Sequence, residues 1–195
     1  LAERAGRDGN VARILISFGA TDPGNLTKLA LEAVQESRFV GQVDVVLGEN
    51  APYLDDIRTR VSRLRNVSLH VGVRTMADFM RAADLAVGAG GTTSWERCAL
   101  GLPAIVLEAA DNQRDIINAL ADAGAVVPVQ SAGMTALDKP EGRRLAIGAL
   151  AETINTVTKG PTRVTEMSTA AAQVCDGYGA PRVASRLLQE VEQGL

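Results

Sequence analysis

Two rhythms of apolar residues alternate along the chain. Short apolar runs occur at Val11 to Phe18, Val43 to Leu47, Val67 to Val71, Leu85 to Val87, Ala104 to Leu107 and Ala125 to Val129. Each predicts a strand, and the nearly continuous run from Val11 to Phe18 predicts one buried on both faces, as in a parallel sheet covered by helices. Between the runs, apolar positions recur at helical spacing: Leu26, Leu29, Ala30, Ala33 and Val34; Leu54, Ile57, Val61 and Leu64; Met76, Phe79, Met80 and Ala83; Ile116, Ile117, Leu120 and Ala121. From about Ala136 the pattern is helical only, through Ile147, Leu150, Ala151 and Ile154, then Met167, Ala170, Ala171, Val174 and Cys175, then Val183, Leu187, Leu188 and Val191. Breaks fall at Lys159-Gly-Pro161 and around Asp176 to Pro181. Six strands alternating with helices predict an α/β chain: a Rossmann-like, doubly wound, parallel six-stranded sheet with extra C-terminal helices. With strand order 3-2-1-4-5-6, ligands bind outside the carboxyl ends of the strands, where the order reverses.

The residues between strands and helices add chemistry to this outline. Asp22-Pro23 predicts an N-cap and first helical position, Pro52 opens the next helix, and Asp111 to Asp115 opens a helix closed at Gly124. The stretch from Ala83 to Leu107 runs strand, turn, helix, strand, with Gly88, Gly90 and Gly91 in the turn. Glycines permit close backbone approach, and a helix start presents unpaired N–H groups with partial positive charge, so this turn predicts an anion site, best suited to phosphate. A second glycine-bearing turn runs from Gly19 to Asn25. It is neither G-x-G-x-x-G nor a P-loop, and no acidic residue closes the second strand in the position that usually holds a ribose. For it, a capped turn and a phosphate contact stand level.

Other candidate residues carry two readings each. Thr93-Ser-Trp-Glu96 fits a capping box, with Glu96 returning a hydrogen bond to the backbone of Thr93; the alternative is a carboxylate that accepts the two hydroxyls of a ribose. Trp95, Cys98, Ala99 and Leu102 share one face and read as core, and Cys98 has no base near it in sequence. Asp111, Asn112 and Gln113 either cap a helix or read sugar hydroxyls and acetamido groups. His70, the single histidine, ends the third strand and reads first as structural and second as a general base.

Composition excludes several classes. The 195 residues carry a net charge of −3, with 46% hydrophobic and 22% charged residues, so neither a nucleic acid nor an anionic membrane is expected as the main partner. No window reaches the roughly 20 apolar residues of a membrane span. The two cysteines, Cys98 and Cys175, are not in metal-ligand or disulfide spacing, which suits a cytoplasmic protein. No carboxylate cluster calls for a metal, and no cofactor is expected. The chain begins with Leu1 and a polar stretch through Asn10, read as the remnant of an interdomain linker, so that residues 11–195 form one domain of a longer protein.

Three segments together carry a family resemblance: Ile14 to Thr27, Val87 to Pro103 and Asp111 to Gln113. They resemble the C-terminal half of the pseudaminic-acid pathway UDP-sugar hydrolase, which releases UDP from a UDP-linked diacetamido-trideoxy-altropyranose. They are similar also to the spore-coat polysaccharide protein of the SpsG type and, more distantly, to the UDP-N-acetylglucosamine transferase of peptidoglycan synthesis. The resemblance implies one half of a GT-B fold, with the UDP-sugar held against an N-terminal Rossmann-like domain of the same protein. It places the diphosphate at Gly19, Gly90, Gly91, Thr92, Thr93 and Ser94, the ribose at Glu96, the uracil at Gly72, Val73, Arg74 and Met76, and the sugar at Asp111, Asn112 and Gln113. Asp111 stands where the hydrolase tends to carry Glu. The family's catalytic histidine belongs to the N-terminal half and activates water at the anomeric carbon, so no catalytic residue is expected here and this domain alone is expected to be inactive. A donor-binding domain of a glycosyltransferase and a non-catalytic binding module are the alternatives.

Overall fold

In the computed structural model, residues 6–129, 137 and 139–192 are described. The expected linker's first five residues, and Ala136 where the helical tail was expected to begin, lie outside them.

The strands and helices alternate as the apolar rhythm predicts: β1 (Arg13–Ser17), α1 (Leu26–Ser37), β2 (Gln42–Leu47), α2 (Leu54–Val61), β3 (Val67–Val71), α3 (Met76–Ala82), β4 (Leu85–Ala89), α4 (Thr93–Ala99) and β5 (Ala104–Leu107). A 3-10 turn, Asp111–Gln113, then leads into α5 (Arg114–Asp122) and β6 (Val126–Pro128), and α6 (Pro140–Thr158), α7 (Pro161–Val174) and α8 (Gly179–Glu192) complete the chain. All strand pairs are parallel, in the order β3-β2-β1-β4-β5-β6. The order reverses between β1 and β4, which pair from Ile14↔Leu85 to Ser17↔Gly88. Their carboxyl ends therefore splay the turns that follow them to either side and open a crevice.

Alternation along the strands sorts the core onto two faces. Ile14 and Ile16 of β1 pack with Val43, Val45, Leu85, Val87, Ile105, α1, α2 and α6, whereas Leu15 packs with Val46, Ala86, Val106 and helices α3 to α5 and α7. A period of two with both faces apolar is what a doubly covered parallel strand requires. Gly101, at φ +61°, ends α4: the N–H of Leu102 donates to Arg97 O at 2.8 Å and that of Gly101 to Cys98 O at 2.9 Å. Gly124, at φ +77°, ends α5 in the same way, as its position in the sequence predicts. Arg7 anchors the N-terminal segment under the sheet by donating to the carbonyls of Met80, Ala83, Leu100 and Gly101 at the ends of α3 and α4.

Three expectations change. Asp22 does not sit directly before the helix with Pro23 inside it, because α1 begins only at Leu26. Asp22 and Asn25 take left-handed conformations, φ 40° and 50°, and carry the chain through an extra turn first. Trp95 is not core: it is 42% exposed. Cys98 and Leu102 are buried as expected, but the short helix, which stops at Ala99, turns Ser94, Arg97 and Cys98 inward and leaves Trp95 outside. An acidic residue does follow the second strand, since Glu49 lies two positions beyond the end of β2 and faces the crevice. The apolar stripe of α8 is solvent-facing, with Val183, Leu187 and Leu188 all exposed.

Candidate active-site cleft

A cleft of about 500 Å³ opens at the carboxyl ends of the strands where the order reverses. This is within the roughly 300–1,000 Å³ of small-molecule sites. Four elements contribute its wall. Ser17, Gly19 and Ala20 come from the end of β1, Leu47 to Asn50 from the end of β2, Gly72, Val73 and Met76 from the β3–α3 turn, and Thr93 and Glu96 from α4. Gly48 ties two of these turns by donating its N–H to Ala20 O at 2.8 Å. Gly72 sits at φ +63°, and a side chain there would press on Glu49 Oε1 at 2.6 Å. The positive φ is what favours glycine at that point, since the exposed Glu49 side chain can move aside.

The two glycine turns beside the cleft differ in charge. In the β1–α1 turn, the Asp22 carboxylate is 5% exposed and accepts the N–H of Leu26 at 2.9 Å and of Thr27 at 2.8 Å. A carboxylate thus already occupies the helix N-terminus that an anion would seek. Arg143 of α6 fixes the same loop through the carbonyls of Gly24 and Asn25 at 3.0 and 2.7 Å. In the β4–α4 turn, the N–H groups of Ser94 and Trp95 close on Gly91 O and Thr92 O at 2.9 and 3.1 Å, while among the described residues those of Thr92 and Thr93 take no turn or loop carbonyl. Gly90 is glycine because a Cβ there would overlap Ile117 Cγ1 and Cδ1. Beneath the turn lies Arg97, 3% exposed, whose Nη2 donates to Ala89 O at 2.6 Å and Ser94 Oγ at 2.8 Å.

Glu96 makes no capping bond: among the described residues it has no hydrogen bond back to Thr93, and the cap position, Thr92, has no side-chain cap. Its carboxylate is left to face the cleft. Gln113 accepts the Ala109 N–H through Oε1 at 3.0 Å and sets its Nε2 next to Gly91, 3.4 Å from where a Cβ would lie. Asp111 and Asn112 are exposed on the 3-10 turn, with Asp111 3.8 Å from Arg114. Arg74 is exposed and does not line the cleft.

His70 is held as a structural group. Its Nε2 meets Asp44 Oδ1 at 2.8 Å, Asp44 Oδ2 is paired with Arg13 at 2.7 Å, and its ring packs on Phe79 with centroids 4.5 Å apart. Burial pushes the Cys98 thiol up to about 11, only partly offset by the Arg97 charge, so it stays protonated at neutral pH and is no nucleophile. Among the described residues no group of His, Cys, Asp and Glu side chains could hold a metal ion, and no helix is long and apolar enough to cross a membrane.

The residues that sequence reading missed are Arg97, Ala20 and the Gly48-Glu-Asn50 run. The signal for the last was a glycine with two polar residues directly after a buried strand. For Arg97, a cation four residues after Thr93 was a signal only if the helix was known to end at Ala99.

No family model matches the chain. It is 33% identical over 105 residues to the uncharacterized protein MJ1062 of Methanocaldococcus jannaschii, a match covering 52% of this chain and 22% of that protein. It is 28% identical over 116 residues to the spore coat polysaccharide biosynthesis protein SpsG of Bacillus subtilis, covering 58% and 34%. These matches thus span about a third or less of either relative's length. Among solved structures, it superposes on the spinosyn rhamnosyltransferase SpnG complexed with thymidine diphosphate with TM-score 0.65 at 22% identity, over 97% of this chain and 48% of that one. It superposes on Acinetobacter baumannii MurG with TM-score 0.65 at 18% identity, over 92% and 50%. The architecture is that of one Rossmann-like half of a GT-B fold.

Proposed function

We propose that this chain is the nucleotide-sugar-binding half of a GT-B enzyme of surface-polysaccharide biosynthesis, and that the intact enzyme hydrolyses a UDP-sugar, releasing UDP by cleavage of the glycosyl C–O bond. The observation that carries the reading is one cleft, at the reversal of strand order, into which Gly19, Gly72, Val73, Met76, Thr93 and Glu96 all face. The diphosphate lies along Gly90, Gly91, Thr92, Thr93 and Ser94 with Gly19 opposite, Glu96 accepts the ribose hydroxyls, and the uracil packs against Gly72, Val73 and Met76 with Arg74 at the rim. The sugar extends toward Asp111, Asn112 and Gln113. Glu49 adds a second carboxylate to the wall, available to the same ribose.

In this arrangement the chain's residues bind and orient the leaving group. Negative charge develops on the departing diphosphate, and preorganised N–H donors help most where charge develops. The base that activates water comes from the N-terminal half. Titration calorimetry with UDP tests the binding claim: micromolar to low-millimolar affinity supports it, and no heat at millimolar UDP overturns it. Incubating the intact protein with UDP-sugar and no acceptor tests the hydrolase claim. Fast UDP release supports hydrolysis. Release only when an acceptor is added favours the second reading, a glycosyltransferase donor domain, to which the likeness to SpnG and MurG lends support.

A further inference from the structure

Arg97 is buried behind the β4–α4 turn in an unusual state for a cation. Its Nη2 bridges the two ends of the turn, Ala89 O and Ser94 Oγ, and Nη1 occupies the space behind Gly88, 2.7 Å from where a Cβ would stand. Nε meets no acceptor, and among the described residues no carboxylate forms an ion pair with the group. Arg13, by contrast, is half exposed and pairs with Asp44. A guanidinium taken out of water with two neutral acceptors and no counter-ion is a net cost to the fold. Burial lowers it to about 10, with Cys98 and Glu96 pulling it back up, so it remains protonated at neutral pH. The uncompensated charge sits beneath the turn that leads into Thr93 and Glu96, which line the cleft.

We infer that Arg97 is the buried positive charge that a bound diphosphate completes: it fixes Ala89 and Ser94 at the two ends of the turn and maintains a positive potential beneath Gly90 to Thr93. The inference rests on the nucleotide-sugar reading and adds to it the source of the preference for a diphosphate. Arg97 is a positioning residue, since it reaches the phosphates through the turn and touches none of them. A nucleoside diphosphate gains from this charge, and the nucleoside of the same base does not.

The test is titration calorimetry of UDP, uridine and inorganic diphosphate against the wild-type chain and Arg97→Met, Arg97→Gln and Arg97→Lys. The two neutral variants are expected to bind UDP about 10-fold or more weakly, with uridine changed by less than about twofold, because a unit charge acts across several ångströms of partly buried structure. Arg97→Lys keeps the charge and most of the preference for UDP over uridine. Unchanged UDP affinity in the neutral variants, or equal losses for UDP and uridine, overturns the inference. Circular dichroism checks the fold: if neither neutral variant folds even with UDP present, Arg97 is a structural residue and the inference is wrong. A wild-type chain that binds neither UDP nor inorganic diphosphate sinks the nucleotide-sugar reading itself, an outcome distinct from wild-type binding that the neutral variants share.

Discussion

The β1–α1 and β4–α4 turns flank the same crevice, and both carry a strand into a helix through glycine, yet different groups are packed against them. The first is closed on itself, with the Asp22 carboxylate taking the N–H groups of Leu26 and Thr27. The second has under it a guanidinium that, among the described residues, forms no ion pair with a carboxylate. At the first helix start the N–H groups of Leu26 and Thr27 are already taken by a carboxylate, whereas among the described residues those of Thr92 and Thr93 are taken by no turn or loop carbonyl. A glycine-rich strand-to-helix turn is therefore not by itself a phosphate site; the charge packed beneath it decides.

The strongest way to break this comparison is to remove the internal anion. Asp22→Ala strips a buried, doubly bonded charged cap and is expected to lower stability by about 2–3 kcal/mol, read by denaturant unfolding, while UDP affinity changes by less than about twofold. A large loss of UDP affinity with the fold intact would make the first turn part of the phosphate site. Next in size, Gly90→Ala drives a Cβ into Ile117 and is expected to cost about 1–3 kcal/mol and to weaken UDP. Combined with Ile117→Ala, which removes both Cγ1 and Cδ1, the loss should be less than additive; full additivity would mean that the turn is not seated on Ile117.

Smaller effects sharpen the second turn. Glu96→Gln removes a carboxylate that makes no capping bond, so stability should stay within about 0.5 kcal/mol while UDP binding weakens about tenfold, a drop of about 1.4 kcal/mol. Loss of stability with unchanged affinity would return Glu96 to a capping role. The smallest effect is in pH. Arg97 is lowered in the folded state, so the unfolded chain binds more protons above about 10, and stability gains from this group as pH rises through that value. Cys98, raised to about 11, acts in the opposite direction, and without the Arg97 charge it rises further in Arg97→Met, which adds to the wild-type minus variant difference in the same sense. The wild-type minus Arg97→Met stability difference should be flat below about pH 9 and climb above 10; a flat line throughout would mean that the guanidinium is not desolvated.

Strand number and parallel pairing were legible in the sequence, because apolar runs alternating with helical stripes are what a helix-covered parallel sheet requires, whereas the strand order was an assumption that the structure bears out. The cleft residues Gly72, Val73, Met76, Thr93 and Glu96 were legible through the family resemblance. What escaped depended on the third dimension. Asp22 was legible as a cap and misplaced by three residues, since two non-glycine left-handed residues before Leu26 leave no pattern. Trp95 was read as core and is exposed because a seven-residue helix has too few apolar positions to fix its rotation, and Arg97 went unread because a buried arginine runs against the rule that cations face water. Glu49 was passed over because it lies two residues beyond the end of β2 rather than at it.

The central claim is that the N–H groups holding the diphosphate belong to the β4–α4 turn and not to the helix start that Asp22 already fills. Backbone amide shifts on adding UDP read both at once. The account predicts shifts at Gly90, Gly91, Thr92, Thr93 and Ser94, with Leu26 and Thr27, whose N–H groups Asp22 already holds, unmoved. No shift in either turn at millimolar UDP, or shifts confined to Leu26 and Thr27, would contradict it.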